Sequence, residues 1–485
     1  MTDFARLDQE HVWHPFTQMR DWLRTKPLVI AEGRGSVLVD TEGREYLDAN
    51  ASIWTNLHGH RHPQINRTLR EQLDRIAHSS ALGLANEPAS RLASRLVRAA
   101  RLPSRRSRAA ALQNPSLKWV FFSDDGSTAM EVALKLAYEF ARRTRGIRRP
   151  RFLSLEGAYH GDTVGAVSLG HIDLFHRTYG GLLFRSDKVM APYCYRCPFN
   201  RAKPERADAR EYRQCHWECV DQVAHAVEDR SAKDAVYAGF VYEPLLQGAA
   251  GIIPQPPGWL RRVAEIARTA GTPLIADEVM TGFGRTGVGR WTAGRRGLPP
   301  LFASHHEGVQ PDFLALAKGL TGGYLPMAAT LTTQAVFDAF LGEYAEFRTF
   351  FHGHSFTANQ LGAAAGLASL DLLESHAAAA RRAQLEAWLG EELQCLWTLP
   401  HVGDIRQVGL VAGIELVRDW RTREPFDLRE QAGIRVCQAM ARRGVLTRPI
   451  GNVVPFLPPY CTTRAQLRRM VTAFADAMAE EVEHA

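Results

Sequence analysis

Short, almost wholly apolar runs recur through the middle of the chain: Trp119–Phe122, Phe152–Leu155, Gly239–Tyr242, Pro273–Ala276 and Phe313–Leu316. Between them, apolar residues return at helical spacing, as in Thr128–Arg143 and Trp259–Ala270. Strands apolar on both faces, alternating with helices, predict a parallel sheet covered on both sides. The ends of the chain are patterned differently. Two short runs flank Thr41-Glu42-Gly43-Arg44, which predicts a hairpin over Val37–Asp48. A long amphipathic helix over Ala358–Leu373, a strand over Ala412–Val417 and a closing helix from Ala465 follow. The expectation is an α/β protein in which a large, mostly parallel-sheet domain (66–345) has helices on both faces. A smaller α/β domain is built from both termini (1–65 and 346–485). No fixed-period repeat is visible.

Composition agrees with an ordinary globular protein, since 45% of the 485 residues are hydrophobic and 23% charged. Disorder, collagen and a disulfide-stapled miniprotein are excluded. The first ten residues carry acids and no apolar core, and no run approaches the ~18 apolar residues of a membrane span. A cytoplasmic protein with reduced thiols is expected. The formal charge of +7 is spread along the chain with no nucleic-acid-binding signature, so neither nucleic acid nor membrane is an expected partner. The charge count is more informative by residue type. Seven of the 59 cationic residues are lysines, and Lys318 is the only one after Lys233.

Ligands of open parallel sheets gather beyond the carboxyl ends of strands. Three such ends stand out. After Val120-Phe121-Phe122, Ser123-Asp124-Asp125-Gly126-Ser127 leads into a helix whose free amides can hold a phosphate, although on this segment alone simple N-capping by Ser127 or Asp125 is the favoured reading. After Pro273-Leu274-Ile275-Ala276 come Asp277 and Glu278, with the backbone freedom of Gly282-Phe283-Gly284-Arg285-Thr286-Gly287 beyond them. A carboxylate there needs a cation or donors, and an ion pair with Arg285 is one solution. Lys318 closes the last apolar run. Its amine can condense with an aldehyde, and burial would make it nucleophilic; snorkelling to the surface is the alternative. Together the three ends fit pyridoxal phosphate. Gly126 and Ser127 would take its phosphate, Asp277 would keep its ring nitrogen protonated, and Lys318 would hold its aldehyde and carry the substrate proton.

At these residues the sequence resembles the class III, fold type I pyridoxal-phosphate aminotransferases. Asp277-Glu278-Val279, the glycine-rich run after it, and Lys318-Gly319 with Gly322-Gly323 carry the resemblance, which extends over nearly the whole chain. Further matches are Trp13-His14-Pro15-Phe16-Thr17, Trp54 with His58-Gly59-His60, Tyr159-His160-Gly161-Asp162-Thr163, His352-Gly353-His354-Ser355, and Arg448-Pro449 followed by Leu457-Pro458-Pro459-Tyr460. They are most similar to the branch that aminates 8-amino-7-oxononanoate in biotin synthesis. The resemblance implies Tyr159 against the cofactor ring, Trp54 in the substrate pocket and Arg448 on the keto acid's carboxylate. It implies that Gly353, His354 and Ser355 reach in from the second subunit of a homodimer, with His354 and Ser355 at the cofactor. The implied donor is S-adenosylmethionine, with lysine as the alternative, because Phe16 and Ile53 stand where many members have Tyr and Trp. Asp125 replaces a more usual Ser and is expected to point away from the phosphate or cap the helix. Stretches at 102–117 and 294–307 look inserted and are expected to be surface loops. Cys194-X-X-Cys197 with Cys215 and Cys219 approaches zinc-site spacing, but the second pair has three intervening residues; reduced thiols in a surface excursion are expected, and no metal.

Overall fold

The computed structural model describes residues 3–102, 116–231, 236–289 and 297–483. Its centre is a seven-stranded sheet in the order Leu117–Ser123, Ala328–Thr333, Phe313–Leu316, Leu274–Asp277, Gly239–Tyr242, Phe152–Leu155, Asp187–Val189. All neighbours pair in parallel except Ala328–Thr333, which runs antiparallel to both strands beside it. The five predicted strands are present. The reversed strand went unpredicted because Ala-Ala-Thr-Leu-Thr-Thr has no strong apolar run, although all six residues are buried.

Alternation along the strands divides the core between the two faces. Leu274 and Ala276 join one apolar cluster and Ile275 the other, while Leu314 and Leu316 oppose Phe313 and Ala315 in the same way. The helix Gly126–Arg145 packs in the second cluster through residues including Met130, Ala133 and Ala137. Trp259–Thr269 packs in the first through Trp259, Leu260 and Val263.

The two ends of the chain share a sheet. The predicted hairpin forms, with Val37 opposite Leu47, and Val445–Leu446 adds in parallel to Glu45–Asp48. The long helix of the last third, Gln360–Leu373, is not amphipathic: Gln360, Gly362–Gly366, Ala368–Leu370 and Leu373 are buried, so it is enclosed on nearly every side. It packs against Pro63–Leu73 and Glu87–Ala99.

The inserted stretches are only partly surface loops. Residues 103–115 and 290–296 lie outside the described residues, and Leu117 already belongs to the sheet. The rest of the second stretch turns inward, with Leu301 to His305 buried. The reason is Glu278, whose buried carboxylate accepts hydrogen bonds from the Ser304 backbone at 2.9 Å, the Ser304 hydroxyl at 2.8 Å and the Ala303 backbone at 2.5 Å. The cysteine excursion is also held inward. Tyr193 donates to Glu415, and Arg196 pairs with the same carboxylate, which is shared in turn with the buried Arg406 at 2.6 Å. Cys194 and Cys219 are buried, and burial pushes both thiols up to about 12. Among the described residues, no group of three or more His, Cys, Asp or Glu side chains is arranged to hold a metal ion.

Candidate active site

Every strand that points towards the site ends at the same edge of the sheet, and a cavity of about 440 Å³ opens there. It is lined by residues at or just beyond the ends of four of those strands: Asp124 to Ser127, Glu243, Asp277 and Lys318. Trp54 and Tyr159 also line it. Of the ten predicted site residues, six therefore meet at one cavity: Trp54, Gly126, Ser127, Tyr159, Asp277 and Lys318.

The phosphate-turn region is a helix start. Asp125 caps Gly126–Arg145 by accepting from the Thr128 backbone at 2.8 Å, and Thr128 reciprocates towards the Asp125 backbone at 2.9 Å. The expected capping role of Asp125 is thus what the structure has. Gly126 is needed for close approach, because a Cβ there would stand 2.7 Å from Val279 Cγ1. Gly161 has φ +121°, and a Cβ on it would lie 2.7 Å from Ser127 Cα. Two loops therefore meet backbone against backbone over the helix start, leaving amides available to an anion. The Asp162 amide donates to Ser127 Oγ at 3.1 Å, and Tyr159 donates to Asp162 Oδ2 at 2.6 Å. Burial, reinforced by Asp162, raises the Tyr159 phenol well above its ordinary range.

Asp277 is 5% exposed and has two partners: His160 Nδ1 at 2.7 Å on Oδ2 and the Val279 amide at 3.0 Å on Oδ1. His160 is itself buried, and it appeared in the sequence only as part of a motif with no task attached. The ion pair considered between Asp277 and Arg285 does not form. Arg285 is fully buried and donates to the Pro458 carbonyl at 2.8 Å, with the Tyr460 ring 4.9 Å away.

Lys318 does not snorkel. Its amine lies within the protein, 4.9 Å from the Trp54 ring centroid. Burial pushes its pKa down, while Asp277 and Glu243 pull it up. Trp54 arrives there through an unusual backbone, since Ala51, Ser52, Ile53 and Trp54 all have positive φ between 44° and 71°. Such a run of non-glycine residues is strained and has no sequence signature. Trp54 is fixed by its own Nε1, which donates to Asn50 Oδ1 at 2.7 Å.

The other four predicted residues lie outside this cavity in the single chain. Arg448 is exposed and donates to the Phe16 carbonyl and, at 3.4 Å, to Thr17 Oγ1. Phe16 meets Phe175 edge-on at 5.2 Å, and Phe175 meets Tyr159 at 6.4 Å, so Arg448 is joined to the cavity through two aromatic contacts. Gly353 and Ser355 are exposed, while His354 Nδ1 stands 3.6 Å from Asp124 Oδ2.

An amine of lowered pKa, a buried carboxylate and a glycine-backed helix start around one cavity are the donor set that pyridoxal phosphate requires, and the residues fit that group. Comparison with known proteins agrees. The family of class III aminotransferases matches residues 19–478. The chain belongs to that family. As a class III aminotransferase it has fold type I and depends on pyridoxal phosphate. It is 47% identical over 464 residues, 96% of this chain and 94% of the other, to the adenosylmethionine-8-amino-7-oxononanoate aminotransferase of Geobacter sulfurreducens. The enzyme of that name from Nitratidesulfovibrio vulgaris is 46% identical over 99% of this chain and 82% of its own. The crystal structure of the corresponding enzyme of Methanocaldococcus jannaschii superposes with a TM-score of 0.85 at 36% identity, covering 99% of each chain. A pyridoxal-phosphate-bound amine transaminase from an uncultivated Pseudomonas species gives 0.83 at 33% identity, over 97% of this chain and 98% of its own.

Proposed function

We propose that this class III aminotransferase transfers an amino group to 8-amino-7-oxononanoate, giving 7,8-diaminononanoate for biotin synthesis. The observation that carries the reading is identity of 47% over 96% of the chain to a relative that bears this activity in its name. S-adenosylmethionine is the donor, with lysine as the competing one, since Phe16 and Ile53 remove a hydroxyl and an indole from the donor side. The enzyme is a cytoplasmic homodimer, divided into 1–65 and 346–485 as the smaller domain and 66–345 as the larger. Among the described residues no helix is long and apolar enough to cross a membrane.

The residue roles follow from their chemistry. When bound, pyridoxal phosphate supplies an electron sink for the carbon that loses its proton. Lys318 holds the cofactor through Nζ and, once released as a free amine, carries the proton at Nζ between the reacting carbons. Asp277, oriented by His160, keeps negative charge where a ring nitrogen is to stay protonated. Gly126 and Ser127 offer the helix start to the phosphate, and Tyr159 and Trp54 wall the ring and the substrate. Gly353, His354 and Ser355 serve the neighbouring copy's site, His354 and Ser355 at its cofactor. Arg448 takes the keto acid's carboxylate in its planar fork. Arg448→Ala is expected to raise the acceptor KM roughly 10- to 100-fold with little change in kcat; steady-state kinetics with varied acceptor would show it, and an unchanged KM would remove Arg448 from the pocket.

Half-reactions with S-adenosylmethionine, lysine and other amines, followed by the loss of cofactor absorbance and by product from 8-amino-7-oxononanoate, test the whole reading. Conversion driven by one of the first two donors is expected. A protein that uses neither of them, and converts some other carbonyl compound, is a general ω-aminotransferase instead.

A further inference from the structure

The cavity contains one carboxylate to which the roles above give no task. Four acids line it: Asp124, Asp125, Glu243 and Asp277. Three are already engaged. Asp125 caps its helix at 2.8 Å, Asp124 faces His354 at 3.6 Å, and both oxygens of Asp277 are held by His160 and the Val279 amide. Glu243 is different. It follows the strand Gly239–Tyr242, is 7% exposed, and accepts one short hydrogen bond, from the Gly248 amide to Oε2 at 2.8 Å. Its Oε1 accepts a longer one from the Tyr159 amide at 3.5 Å. An ionised carboxylate has about four acceptor positions, so Glu243 retains capacity on the cavity side. It lines the same cavity as Lys318, whose protonated amine its charge favours. Burial raises Glu243 to about 7, with His160 lowering it and Asp277 raising it, so a cation arriving next to it stabilises the ionised form.

The acceptor brings such a cation. In 8-amino-7-oxononanoate the carbon next to the reacting carbonyl carries an ammonium, which enters the cavity two bonds away from the carbon that is aminated. A buried charge without a partner is strongly unfavourable. We propose that Glu243 binds the ammonium vicinal to the acceptor's carbonyl and thereby selects 2-amino ketones over plain keto acids. The inference rests on the acceptor assigned above. Asp277 cannot take this role while it holds His160.

The test compares two acceptors that differ only in that amine, 8-amino-7-oxononanoate and 7-oxononanoate. Single turnovers of the pyridoxamine-phosphate-loaded enzyme, followed against acceptor concentration, separate apparent affinity from limiting rate. In Glu243→Gln the wild-type preference for the amino-bearing acceptor is expected to shrink about 10- to 100-fold in apparent affinity, because a charge-assisted contact is lost from one ligand and not from the other. Glu243→Asp, which keeps the charge and withdraws it by one methylene, is expected to lose part of the preference and carries the test if the glutamine variant does not fold. A purely structural Glu243 would weaken both acceptors alike, and an unchanged ratio in both variants overturns the proposal. A wild-type enzyme that fails to aminate 8-amino-7-oxononanoate overturns the acceptor assignment instead.

Discussion

Lys318→Ala is expected to lower turnover by about a thousandfold or more and to abolish the visible absorbance of covalently held pyridoxal phosphate, with the fold intact. The magnitude follows from two losses at one atom. The side chain loses the nucleophile that holds the aldehyde and also the base that carries the proton between carbons, and no other described lysine lines the cavity to replace either. The methyl group that remains creates space next to Trp54, whose ring faces the amine at 4.9 Å. Lys318→Arg discriminates charge from chemistry: it restores a cation near Asp277 and Glu243 but cannot condense with an aldehyde, so it should stay as inactive as the alanine variant. Absorbance spectra and single-turnover assays of both variants check this, and normal turnover by either would remove Lys318 from the reaction.

Asp277→Asn is expected to reduce kcat by about 10²- to 10⁴-fold while the protein still folds. The carboxylate is buried, and its value lies in its charge, which an amide of the same size lacks. His160 makes the effect larger than the loss of one contact, since its ring loses the anion that orients it at 2.7 Å. Asp277→Glu keeps the charge but moves it by a methylene in a closely packed place, so partial recovery is expected. Steady-state kcat, together with cofactor content after gel filtration, separates a lost catalytic charge from lost cofactor binding. An asparagine variant within threefold of wild type would contradict the role.

Lys318 was legible in the sequence for a chemical reason: arginine serves nearly everywhere else, and an amine remained at the end of a buried strand. Asp277 and Gly126-Ser127 were legible because they too follow apolar strands, and strand ends in a parallel sheet converge. Glu243 also follows a strand, and a carboxylate directly after Gly239–Tyr242 was a signal that could have been read. His160 carried no local signal, because its partner Asp277 is 117 positions away. Arg448 shows the opposite case. Its motif placed it on the substrate, whereas in the single chain it is exposed, holds the Phe16 carbonyl and is joined to the cavity only through the aromatic contacts beyond that residue.

By itself, the sequence determined the strand and helix alternation, the placing of Gly126-Ser127, Asp277 and Lys318 at strand ends, and the class of chemistry. These depend on local periodicity and on residue type, both of which are written in short stretches of chain. Tertiary structure alone decided which strand is reversed, how four left-handed residues bring Trp54 over Lys318, why 301–305 folds inward onto Glu278, and which four acids meet at the cavity. Most of these are settled by partners distant in sequence, through burial and hydrogen bonding that only the assembled core can supply.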